Sequence, residues 1–131
     1  MTCNGDWIDS AVITIGNSTV TINKLGATIT TPNSNDFYNL IIVGTVSAVN
    51  SLDINSNLTV NATSTFSLGS SSFSHDIAGN ITVNGTLAVQ SASLTMSGAS
   101  KSFTSIAGSA VSMADNSDLI FANNITTVIN G

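Results

Sequence analysis

Asn57-Leu58-Thr59-Val60-Asn61 returns as Asn80-Ile81-Thr82-Val83-Asn84, with 81 − 58 = 23 positions between Leu58 and Ile81. Each copy sets two apolar side chains around one threonine, the period of a strand with one dry and one wet face. Asparagine, which favours turns over strand interiors, closes both ends. Asn124-Ile125-Thr126 follows 125 − 81 = 44 positions later, or two further steps of 22. Recurrence at such an interval marks a repeat architecture. At about 3.3 Å per residue, three short strands and three corners use that much chain. One such circuit is a coil of a triangular parallel β-helix.

Outward from this pair the same alternation continues at Ile13-Thr14-Ile15, Val20-Thr21-Ile22, Leu52-Asp53-Ile54 and Phe66-Ser67-Leu68. It appears again at Leu87-Ala88-Val89, Leu94-Thr95-Met96 and Val111-Ser112-Met113. No helical i, i+3, i+4 pattern competes with it. Gly, Asn and Ser clusters such as Gly44-Thr45, Gly69-Ser70-Ser71 and Gly98-Ala99 separate the segments more closely than hairpin sandwiches require. Asn84-Gly85 is the one strong hairpin signal against this reading. The predicted fold is all-β: a single-stranded parallel β-solenoid of about five to six coils of roughly 22 residues.

The register predicts coils at 37–57, 58–80, 81–101 and 102–124, with a sixth beginning at 125. Residues 1–36 form an N-terminal first coil or capping segment, with a loop around Pro32, because proline cannot sit in an interior strand. Residues 37–131 are the solenoid proper. The expected core stack is Leu40, Leu52, Ile54, Leu58, Val60, Phe66, Leu68, Ile81, Val83, Leu87, Val89, Leu94, Met96, Val111, Met113, Leu119 and Phe121. A single coil cannot bury its own face, so stability must come from stacking.

Composition narrows the function. The 131 residues carry a net charge of −5, and 7% of them are charged, against about 25% in ordinary domains. Glu and Arg are absent, and Lys24 and Lys101 are the only long cations. Nothing here can neutralise a run of phosphates, so nucleic acid is excluded as a partner, and an anionic membrane surface likewise. No apolar stretch approaches the ~20 residues of a membrane-spanning helix. Cys3, the single cysteine, has no internal disulfide partner.

Candidate chemistry is sparse. His75-Asp76 has acid–base potential, but neighbours on a strand point to opposite sides, and His75 is read as a solvent-facing corner residue. Asp115-Asn116-Ser117-Asp118 is the densest acidic cluster, yet it lacks the spacing of known calcium loops and reads as a solvated corner. No catalytic residue, metal ligand or cofactor is expected. Asn17, Asn57, Asn61, Asn80, Asn84 and Asn124 each open an N-x-[ST] glycosylation sequon. Several of them recur near strand ends, where amides on successive coils can stack as hydrogen-bonded ladders. Thr19 and Thr21, Thr28 and Thr30, and Thr63 and Thr65 form T-x-T pairs of a candidate binding face. These pairs do not recur at a fixed coil spacing, so a continuous threonine array is not expected from them.

Asn39-Leu40-Ile41-Ile42-Val43-Gly44-Thr45, Asn57-Leu58-Thr59-Val60-Asn61 and Gly79-Asn80-Ile81-Thr82-Val83-Asn84-Gly85-Thr86-Leu87-Ala88-Val89 resemble the degenerate coils of bacterial extracellular right-handed parallel β-helix proteins. Adhesins and autotransporter passenger domains are built this way. The resemblance covers roughly residues 37–131 and implies a right-handed fold, an extracellular or cell-surface location and a structural or adhesive role. It brings no catalytic residue with it. The expectation is therefore a non-enzymatic rigid building block that self-associates end to end or laterally into a fibre. A carbohydrate- or ice-binding module using a flat Thr/Asn face is the alternative, with a glycan surface as partner in the first case. A viral or phage fibre segment is a further one.

Overall fold

The structure is a computed structural model that describes residues 1–10, 16–31, 37–70 and 72–129. The alternation at Ile13-Thr14-Ile15, the loop expected around Pro32, Ser71 and the terminal Asn130-Gly131 lie outside those residues. The chain winds through about six turns and lays its strands on three sides. β1 (Thr2–Cys3) and β2 (Trp7–Ile8) belong to the first turn, and β3 (Thr19–Ile22) and β4 (Leu25–Thr30) to the second. The third has β5 (Asn39–Ile42), β6 (Thr45–Ala48) and β7 (Asp53–Ile54); the fourth has β8 (Leu58–Val60), β9 (Thr65–Ser67) and β10 (Ser74–Ile77). The fifth has β11 (Ile81–Val83), β12 (Thr86–Gln90) and β13 (Ser93–Met96). The sixth has β14 (Ser102–Ser105), β15 (Ala110–Met113) and β16 (Asp118–Phe121), and β17 (Thr126–Ile129) opens the next.

Sheet A stacks β1-β3-β5-β8-β11-β14-β17, sheet B stacks β2-β4-β6-β9-β12-β15, and sheet C stacks β7-β10-β13-β16. The pairings are parallel, each strand bonding to its counterpart one turn away. The 23-residue repeat is the register itself: Leu58 lies beside Ile81, Thr59 beside Thr82 and Val60 beside Val83. Strands 1 to 4 join the same sheets, so the stack already includes residues before 37.

Two local features come out differently from their sequence reading. Asn84-Gly85 does not reverse the chain, because β11 and β12 lie in different sheets and Asn84-Gly85 turns the corner between them. Glycine is needed there for space. A Cβ on Gly85 would run into the carbonyls of Asn61 and Ser64 in the turn below. The third recurrence, Asn124-Ile125-Thr126, is out of register. Phe103 pairs with Ile81 on one side and with Thr127 on the other, while Asn124 adopts a left-handed corner at φ 63°. The last turn is therefore longer than its predecessors.

The core is the dry column that the alternation dictates. Leu40, Leu58, Ile81 and Phe103 stack on the sheet A side, and Val46, Phe66 and Leu87 on the sheet B side, all fully buried. Phe37 adds a fully buried ring, bridging in parallel to Ile54. Of the expected stack, the thirteen residues from Leu40 to Met96 are buried. Val111, Met113, Leu119 and Phe121 are not. Val111 and Leu119 are half-buried, Met113 is 47% exposed and Phe121 39%. Val111 and Leu119 pack against the core and Phe121 meets Phe103, whereas Met113 pairs with Gln90 across a register shift; among the described residues only β17 lies beyond this turn, on the sheet A side.

Candidate functional site: the outer face of the seven-stranded sheet

The three outer faces differ in chemistry. On sheet C, the register aligns Asp53, Asp76, Thr95 and Ile120 in one column. Sheet B presents short side chains, with Thr28, Ser47, Ser67, Ala88 and Ser112 in line, but its register shifts between Leu25 and Ala27 and again between Ala88 and Gln90. Sheet A has no such shift. Its central outward column is Thr2, Thr21, Ile41, Thr59, Thr82, Thr104 and Val128, one residue per turn. Every member is β-branched, so each is stiff at χ1 and holds its methyl and hydroxyl in a set direction. Among the described residues none of these threonine hydroxyls has a hydrogen-bond partner in the protein.

An amide ladder borders this column at the corner leading into sheet A. Asn57 donates from its backbone N at 3.1 Å and from Nδ2 at 3.0 Å to Asn39 Oδ1. Asn80 does the same to Asn57 Oδ1, at 2.9 and 3.1 Å. Ser102 ends the series, donating from N at 3.0 Å to Asn80 Oδ1, and Asn39 Nδ2 reaches Thr19 Oγ1 at 3.4 Å. Each side-chain oxygen thus takes up a corner N–H that would otherwise lack a strand partner. The ladder fixes the height of one turn above the next.

The sequence-selected residues are only partly brought together. Asn57 and Asn80 stand in the ladder, and Asn61 and Asn84 follow β8 and β11 at the far edge of the same sheet. Asn17 is an exposed turn residue before β3, and Asn124 an exposed corner. Thr19 and Thr21 lie on sheet A, whereas Thr28, Thr30 and Thr65 lie on sheet B and Thr63 occupies a left-handed corner at φ 63°. The six threonines do not share one face. At Thr59 and Thr82 the array that does form uses the threonine in the middle of an Asn-x-Thr-x-Asn unit. That signal was present in the repeat, but searching for T-x-T pairs passes over it.

His75 is not at a solvent-facing corner. It points into the core, 2% exposed, where Nδ1 accepts the Leu52 N–H at 3.2 Å. Nε2 therefore carries the proton and donates to Leu68 O at 2.8 Å. Burial holds its pKa below the ordinary histidine value, and the bond to Leu68 pulls weakly the other way. Asp76, its neighbour in sequence, faces outward and accepts from Ser97 Oγ at 2.9 Å, so the two do not form a dyad. The Asp115–Asp118 corner is closed on itself, with Ser117 donating from N and Oγ to Ala114 O. No cluster of three metal-ligating side chains exists among the described residues. Trp7 is half-buried against Phe37, with ring centroids 5.3 Å apart.

Compared with known proteins, the chain matches no family model, no curated protein and no solved structure. What the structure shows is a parallel β-solenoid of about six turns.

Proposed function

We propose that this chain is a rigid structural and adhesive element outside the cell, without catalytic activity, that assembles with further copies of itself along the solenoid axis. One observation carries the reading. Among the described residues, Met113, Phe121 and, on β17, Ile129 at 66% exposure form an apolar patch beside β15, β16 and β17, each of which pairs on one side. Uncovered strand edges over an apolar floor invite pairing. The occupant that fits is a second copy, because paired strands run parallel and the first-turn strands β1 and β2 of one copy can continue sheets A and B of another. Low charge supports this, since only 7% of the residues are charged. Negative-stain images of the purified chain should show filaments, and Phe121→Lys with Ile129→Lys should shorten or abolish them. Single particles at every concentration, confirmed by sedimentation, would overturn the proposal.

A second reading concerns the side of the rod. The unbroken β-branched column of sheet A favours a flat face that binds carbohydrate or ice. The two readings use different surfaces and are compatible.

A further inference from the structure

We propose that the ligand of the sheet A face is ice, held against the central column from Thr2 to Val128; this rests on the flat-face reading and not on assembly.

The geometry sets the kind of ligand. Successive turns repeat about every 4.8 Å along the axis, and outward positions along one strand repeat about every 6.6 Å. The unshifted register keeps this grid over all seven strands of sheet A. Hydroxyls at Thr21, Thr59, Thr82 and Thr104 are unpartnered by protein, and stiff β-branching holds them in place before any ligand arrives. Between them the methyls cannot hydrogen-bond, so water over the face is held at hydroxyls and spans the methyls in a repeating pattern. The spacings are of the same order as oxygen repeats in crystal planes of ice.

A single threonine–water contact contributes at most about 1 kcal/mol. Such a face gains affinity only when many equally spaced contacts form together, which selects a periodic solid over a soluble molecule. Crystalline polysaccharide is the other periodic solid, but it asks for aromatic platforms, and the central column of sheet A holds no aromatic residue. A mineral surface asks for charge, and the central column carries none. Sheets B and C do not offer the same grid, because sheet B is broken by two register shifts and sheet C bears Asp53 and Asp76.

The test uses the purified chain in a freezing solution. Wild type should shape ice crystals and halt their recrystallisation; Thr82→Tyr, which places a ring across the grid, should reduce both to the level of buffer. Ser67→Tyr on sheet B leaves both intact. Because these side chains point outward, circular dichroism and the urea midpoint should match wild type; if Thr82→Tyr misfolds, Thr59→Lys makes the same test. Folded wild type without ice activity overturns the inference, and so does equal loss in Ser67→Tyr. Retention on crystalline cellulose, lost in Thr82→Tyr and without ice activity, keeps the flat-face reading and rejects ice. Binding to neither solid rejects both.

Discussion

Phe66 in the fourth turn and Phe121 in the sixth both sit on strands of alternating pattern, and both point inward. Phe66 is fully buried between Val46 and Leu87. Phe121 stacks on Met96 on one side and touches Phe103 edge-on, with centroids 5.8 Å apart, yet stays 39% exposed on the other. Nothing in either strand explains the difference. In a solenoid, burial belongs to the neighbouring turn rather than to the residue, so the same pattern is a core in one place and a surface in another.

This contrast is sharpest under truncation. Phe66→Ala should cost about 3–5 kcal/mol, as cavity-forming core substitutions do, while Phe121→Ala should cost about 1 kcal/mol or less in dilute solution. Urea titration measures both. A cost for Phe121→Ala that climbs towards that of Phe66→Ala as protein concentration rises would mean that another copy covers the sixth turn. Corners offer the second comparison. Gly85→Ala, which drives a methyl into the backbone of the turn below, should cost up to about 3 kcal/mol. Gly108 lies at φ 82° with open space around its Cβ, so Gly108→Ala should cost only about 1–2 kcal/mol of backbone strain.

The ladder gives a smaller effect. Asn80→Ala orphans the Ser102 N–H and should cost roughly 1–2 kcal/mol, whereas Asn84→Ala at the other end of the strand should be close to neutral. The smallest effect concerns pH. Folded His75 holds its proton less tightly than the unfolded chain, whose value is about 6.5, so its contribution is full above about pH 6.5. That contribution is lost as pH falls through the lowered folded value. The melting temperature should therefore be level above about pH 6.5 and decline below it, and His75→Gln should remove the decline. Asp6, held low by the Thr28 N–H and by Lys24, adds its own loss only below about pH 4, and Asp76 faces outward.

The fold was legible because apolar alternation and a 23-residue return encode strand and stack together in Leu58-Thr59-Val60 and Ile81-Thr82-Val83. Legibility fails where one local signal has two physical causes. Asn-Gly serves a reversal through positive φ, but at Gly85 it serves a tight corner through lack of a Cβ. Phe121 reads as core because direction is local, while cover is not, and Met113 because alternation does not reveal the shift of register at Gln90. His75 looked polar and hence outward; two backbone partners inside, Leu52 and Leu68, make a buried imidazole tolerable. The outer column was hidden because Ile41 interrupts the threonines and because turn lengths vary. Leu40 and Leu58 are 18 positions apart, while Phe103 and Thr127 are 24 apart.

Those same intervals bear on how the chain finds its structure. Each pairing closes a loop of similar, modest length, so no step demands a long-range search. Folding can start at the best-packed turn and travel outward in both directions, each new turn templated by the last. Added turns should lengthen the refolding time only gradually, in contrast to sandwich proteins whose strands must meet from distant parts of the chain.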